Sequence, residues 1–210
     1  MEDDFVNRFI DEKRDGAADG DVGPKLFQHA MFNRARQIQK TIVLPEGDDI
    51  RVVEAASILA RRNLCKLELV GNPEVIERHA SSLGITLDGV SVVNPVKHPL
   101  YDDMAEQLYE LRKKKGMTLP QAKQLLAEDV NYFGTMMMKM DLADGMVSGA
   151  AHSSANTIRP ALQVIKMAPG AANVSSIFFM LLDDGVKVMG DCAINVDPTA
   201  EQLGEIATAR

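Results

Sequence analysis

Lys66-Leu67-Glu68-Leu69-Val70-Gly71-Asn72-Pro73 decides the fold. A short apolar run of strand type breaks at a glycine, an asparagine able to cap a helix, and a proline suited to a first helical turn; Gly84 then offers a stop. A strand that passes straight into a helix is half of a parallel crossover unit. Upstream, Thr41-Ile42-Val43-Leu44 reads as a strand followed by a helix at about 49–62, and Pro24 opens a helix reaching about 39. Downstream come a strand at Val90-Ser91-Val92-Val93 and helices at about 99–115 and 119–140, the second opened by Thr118-Leu119-Pro120-Gln121 with capping-box spacing.

Gly145 to Gly149 reads as a strand running into a loop, 158–167 as a helix, and 174–182 and 186–189 as strands. Asp197-Pro198 opens a last helix over 199–210. The alternation predicts an α/β fold: a parallel sheet with helices on both faces, an α/β/α sandwich. The expected divisions are a Gly/Asp-rich linker over 1–23, a first domain over 24–144 and the beginning of a second α/β domain over 145–210.

The 210 residues carry 23 Lys and Arg against 30 Asp and Glu, a net charge of −7, which argues against a nucleic-acid or anionic-membrane binder. An apolar content of 46% with 25% charged residues excludes wholesale disorder. Cys65 and Cys192 stand too far apart for a local metal or redox motif and read as thiols of a reducing compartment. No apolar run reaches membrane-spanning length, and the acidic start Met1-Glu2-Asp3-Asp4 is unlike a secretory leader. A cytoplasmic protein is expected.

From Gly145 to Leu182 there is no acidic residue, whereas Arg159, Lys166 and many small and hydroxyl residues lie there. At its centre Ser148-Gly149-Ala150-Ala151-His152-Ser153-Ser154-Ala155-Asn156-Thr157-Ile158-Arg159-Pro160 has the makings of an anion site. Small residues admit a ligand to the backbone, hydroxyls and amides donate, and a helix start carries partial positive charge. From spacing alone a second reading stands level with it: Ser153, Ser154 and Asn156 cap a helix, Arg159 lies in solvent, and His152 is structural.

Arg112-Lys113-Lys114-Lys115-Gly116 ends another helix; its cations complement the helix dipole, or Arg112 reaches a phosphate with its planar fork. Leu44-Pro45-Glu46-Gly47-Asp48-Asp49-Ile50-Arg51 follows the first strand and is placed to line a ligand crevice; Glu46, Asp48 and Asp49 suggest a metal or, the preferred reading, Asp48 and Asp49 cap a helix and pair with Arg51. No metal is expected; Met136, Met137, Met138 and Met140 read as core or interface filling.

At these residues the chain resembles phosphate acetyltransferase (phosphotransacetylase). The resemblance runs in order through Ile42-Val43-Leu44-Pro45-Glu46-Gly47-Asp48, Leu69-Val70-Gly71-Asn72-Pro73, Glu110-Leu111-Arg112-Lys113 with Lys115-Gly116, Asp144 to Pro160, and Gly190-Asp191-Cys192-Ala193-Ile194-Asn195, over roughly Phe27 to Arg210. Residues before Phe27 resemble the junction of long family members that carry an extra N-terminal region.

The resemblance implies two α/β/α domains related to the isocitrate and isopropylmalate dehydrogenases, and reversible acetyl transfer between CoA and inorganic phosphate. It implies that Arg112 and Arg159 bind CoA or phosphate, and that Ser148, His152, Ser153, Ser154, Asn156 and Thr157 line the acetyl phosphate pocket. CoA and acetyl-CoA are then substrates, no cofactor stays bound, and the full-length protein is a homo-oligomer. In the family the aspartate thought to deprotonate CoA lies in the second half of the catalytic region, so the catalytic base is expected beyond Arg210 and the 210-residue chain alone is expected to be inactive. Two other readings share the fold: an acetyl-CoA-sensing regulatory domain like those fused to malic enzymes, and a phosphate butyryltransferase.

Overall fold

The computed structural model describes residues 23–171, 173–192 and 194–208, so the expected linker lies almost wholly outside the described residues. The chain divides into two compact units, one of residues 35–166 and the other of residues 1–34 with 167–210.

In the first unit four parallel strands, β1 (Thr41–Leu44), β2 (Lys66–Val70), β3 (Val90–Val93) and β4 (Gly145–Met146), stand in the order β3-β2-β1-β4. Helix α1 (Pro24–Ile38) lies mostly in the other unit; the helices of this one are α2 (Ile50–Arg61), α3 (Pro73–Leu83), α4 (Tyr101–Arg112), α5 (Leu119–Glu128), α6 (Val130–Lys139) and α7 (Ser154–Val164). Successive strand residues point to opposite faces. Leu44, Leu67 and Leu69 pack with Val53 and Ala56 of α2 and Ile76 and Ala80 of α3. Val43, Val70 and Val93 pack instead with Met104 and Leu108 of α4, Leu126 of α5, Phe133 and Met136 of α6, and Val164 of α7. Helices therefore cover both faces of the sheet. Each fully buried side chain of this size contributes about 1.5–3 kcal/mol.

Local chemistry sets the element ends. Asn72 accepts the Glu74 amide at the start of α3, Pro73 opens that helix, and Gly84 closes it at φ 64°. Thr118 and Gln121 form the expected reciprocal cap of α5. The 119–140 helix expected from sequence is two helices, because Asp129 ends α5 and its carboxylate accepts the Asn131 and Tyr132 amides that begin α6. The 99–115 helix is α4 followed by a tighter turn over Lys113–Lys115, closed by Gly116 at φ 87°.

Gly145–Met146, expected to open a second domain, hydrogen-bonds in register with Ile42 and Val43 of β1. It belongs to the first sheet. Helix α7 begins four residues before the expected 158, since the Ser153 hydroxyl caps it and Pro160 is taken into its interior.

In the second unit β5 (Ile177–Leu182) and β6 (Gly185–Gly190) form an antiparallel hairpin. Helix α8 (Ala200–Thr208) follows, and the Phe27 and Phe179 rings lie 5.6 Å apart. The Asp191 carboxylate accepts the Ser176 amide and hydroxyl, and the Ile194 and Asn195 amides.

Candidate functional site

Strand order reverses direction at β1. The chain steps from β1 to β2 to β3 on one side and then places β4 on the other, so the crevice between the carboxyl ends of β1 and β4 is a topological switch point. Open α/β sheets bind ligands at such points. Two segments leave the sheet there: Pro45 to Asp49 after β1, and Val147 to Ser153 after β4.

Glu46 joins them. Its side chain is 5% exposed, and its two oxygens accept five hydrogen bonds from the second segment. Oε2 takes the amides of Gly149 at 2.9 Å and Ala150 at 2.8 Å; Oε1 takes those of Ala151 at 2.8 Å and His152 at 3.0 Å, and the His152 ring Nδ1 at 2.7 Å. Successive amides turned to one point form an anion cradle. Burial pushes this carboxyl upward, but the His152 ring and the Ala151, Ala150 and Gly149 amides outweigh it and hold the pKa at about 2, against an ordinary 4.5. An ionised carboxylate only accepts, so His152 Nδ1 is the donor in this contact.

The same segment is held from a second point. Arg51 Nη2 donates to the Ala150 carbonyl at 2.6 Å, while Asp49 caps α2 and binds Arg51 through both carboxylate oxygens. The pairing with Arg51 holds the Asp49 pKa at about 2. Of the expected pair of capping acids, Asp48 acts elsewhere: it accepts the Asn72 amide at 2.7 Å and so ties the β1 turn to the start of α3.

The sequence-derived residues divide into two groups. Ser148 is half-buried and donates from Oγ to Asn131 Oδ1, the hydroxyl of Ser153 caps α7, and the Thr157 hydroxyl donates to the Ser153 carbonyl. Ser154, Asn156 and Arg159 are exposed on the first turns of α7, a helix with no acid in its first turn. Arg112 ends α4; its Nε is buried without a hydrogen-bond partner, and with Lys115, Gly116, Gln124 and Glu128 it lines a cavity of about 440 Å³.

The charges of Arg112 and Arg159 both act on Tyr132. Burial pushes that phenol upward and the Asp129 charge adds to it, while both guanidinium groups pull the other way. The Tyr132 hydroxyl donates to Gln163 at 2.8 Å and so links α6 to α7. Sequence reasoning does not assign Tyr132 and Asn131 to this site, and reads Glu46 only as part of a crevice-lining segment or as a metal ligand. A glutamate directly after a strand, opposite an acid-free and donor-rich loop, is the signal that marks Glu46.

Among the described residues no cluster of three or more His, Cys, Asp or Glu side chains is placed to hold a metal. No helix among them is long and apolar enough to cross a membrane. Both cysteines are free thiols, and burial pushes that of Cys65 upward.

Residues 26–210 match the family model described as phosphate acetyl/butaryl transferase. A phosphate acetyltransferase of Salmonella typhimurium is 50% identical over 187 residues, which cover 89% of this chain and 26% of that protein. One from Corynebacterium glutamicum is 47% identical over 186 residues, covering 89% of this chain and 56% of the relative. Among solved structures, a phosphotransacetylase from Streptococcus pyogenes superposes with a TM-score of 0.76 at 43% identity, over 85% of this chain and 55% of that one. The chain thus spans between about a quarter and about half of the length of these relatives.

Proposed function

Because this chain belongs to the phosphate acetyl/butaryl transferase family, we propose that it supplies the CoA- and phosphate-binding part of a phosphate acetyltransferase, which moves an acetyl group between CoA and inorganic phosphate. The observation that carries this reading is the acid-free start of α7 beside the β1–β4 switch point, where Ser154, Asn156 and Arg159 lie exposed. Arg159 supplies a guanidinium group at that helix start, and Arg112 a second one at the end of α4.

In the proposed reaction the CoA sulfur attacks the carbonyl carbon of acetyl phosphate. A C–S bond forms, the bond from that carbon to the bridging oxygen breaks, and inorganic phosphate leaves with the electron pair. The thiol proton must go to a base, which the resemblance assigns to an aspartate of the family's second catalytic half. Arg159, with the Ser154 and Asn156 side chains, offsets the charge of the phosphoryl group, and Arg112 offsets a CoA phosphate; donors nearby stabilise the carbonyl oxygen as it gains charge.

The finer family properties belong to the same proposal: a fold of the isocitrate and isopropylmalate dehydrogenase type, a homo-oligomeric assembly, a cytoplasmic location and no cofactor other than the CoA substrate. The acetyl reading is preferred to the butyryl and the sensing-domain readings because the relatives quoted are phosphate acetyltransferases. Its test is phosphate-dependent turnover of acetyl-CoA and butyryl-CoA by the full-length protein carrying this chain. Acetyl-CoA turnover well above butyryl-CoA turnover supports the reading; binding without turnover returns the sensing domain, and a preference for the longer acyl chain returns the butyryltransferase.

A further inference from the structure

The segment after β4 carries two sets of donors in different states. The amides of Gly149, Ala150, Ala151 and His152 are all committed to Glu46, whereas Ser154, Asn156 and Arg159 lie exposed a few residues further on. A cradle of successive amides accommodates one anion. With the ionised Glu46 seated in it, a second anion placed against the same amides meets like charge at close range in a poorly hydrated spot.

We propose that Glu46 is a positioning residue: a resident anion that saturates the Gly149–His152 amides, holds the loop in shape, and directs the ligand phosphate away from those amides to the Ser154–Arg159 side of the crevice. The proposal rests on the phosphate-binding reading above for the second site only. Glutamate suits the task because it reaches from the segment after β1 and both its oxygens are occupied, three donors on Oε1 and two on Oε2. Arg51 adds an independent hold on the Ala150 carbonyl from the same side of the sheet, so the loop is clamped at donor and acceptor alike.

The experiment is a titration of the isotopically labelled chain with inorganic phosphate and, separately, with formate, following backbone amide resonances. In the unsubstituted protein phosphate is expected to shift Ser154 to Asn156 and to leave Gly149 to His152 in place. In Glu46→Ala the cradle is vacant, and formate is expected to shift Gly149 to His152 saturably and to raise the melting temperature, whereas Glu46→Gln, with its own oxygen still in the cradle, is not expected to respond. Phosphate shifting Gly149 to His152 in the unsubstituted chain would overturn the proposal, as would a Glu46→Ala protein indifferent to formate. If Glu46→Ala folds only when formate is present, that dependence supports the resident anion, and the first titration still decides where phosphate goes. Formate uptake by Glu46→Ala with no phosphate response anywhere in the unsubstituted chain would overturn the steering role and the phosphate-binding reading, leaving only the clamp.

Discussion

The hydroxyl of Ser148 donates to Oδ1 of Asn131 at 2.6 Å, and Asn131 is wholly buried at the start of α6. That bond pins the first turn after β4 to the helix behind it. It also commits the Ser148 proton to the protein, so the hydroxyl faces the crevice as an acceptor and not, as the sequence suggests, as a donor to a phosphate.

Replacing either partner strands the other. Ser148→Ala and Asn131→Ala are each expected to lower stability by about 1–3 kcal/mol, the cost of an unpaired buried polar group with its lost packing. Urea denaturation of both single variants and the double variant checks this: the pair should couple by about 1 kcal/mol or more, and strict additivity would place the two residues in separate environments.

Glu46 sets an acid limit on the fold. Its folded pKa of about 2 lies below the ordinary 4.5, so the native state favours the ionised form. The stabilisation is complete above about pH 4.5 and drains away as pH falls toward 2, amounting to about 3 kcal/mol across that window. Denaturant midpoints measured between pH 7 and pH 2 should fall more steeply for the unsubstituted chain than for Glu46→Gln, which has no proton to gain at that position; parallel curves would contradict the account.

Gly47 lies between Glu46 and the sheet. A Cβ there would stand 2.6 Å from the Val70 carbonyl oxygen and about 3.0 Å from the Ile76 side chain. Gly47→Ala is expected to cost about 1–3 kcal/mol through overpacking and to displace the Glu46 backbone. Gly84→Ala meets nothing within 4 Å and is strained only by its left-handed φ of 64°, at about 1–2 kcal/mol. Thermal melts of the two variants should therefore be accompanied by altered Gly149 to His152 amide resonances in the first and by unaltered ones in the second.

Arg112 is half-buried and its Nε has no hydrogen-bond partner among the described residues. Arg112→Lys keeps the charge and loses the planar fork, so CoA affinity is expected to drop about tenfold or more, with the melting temperature nearly unchanged. Equal affinities by calorimetry would assign Arg112 to the helix end alone.

Local signals were legible because their partners are close in sequence. Asn72, Pro73 and Gly84 bound α3, and Thr118 with Gln121 starts α5, each within a single turn. The strand series likewise follows from composition and period. The Glu46 bonds span 103–106 residues and exist only because β4 lies beside β1, an adjacency that no local pattern encodes. The start of α7 differs from the expected 158 because the Ser153 hydroxyl caps the helix earlier and Pro160 is absorbed inside it. Asp183-Asp184-Gly185 hides a two-residue turn between paired strands, which turns the expected strands into an antiparallel hairpin.

Calorimetric titration of CoA into the protein with and without Arg159→Ala tests the central claim most directly. Saturable binding by the unsubstituted protein, weakened about tenfold or more by the substitution at unchanged melting temperature, is the predicted result. Identical isotherms for the two proteins would place the ligand away from the β1–β4 crevice and contradict the account.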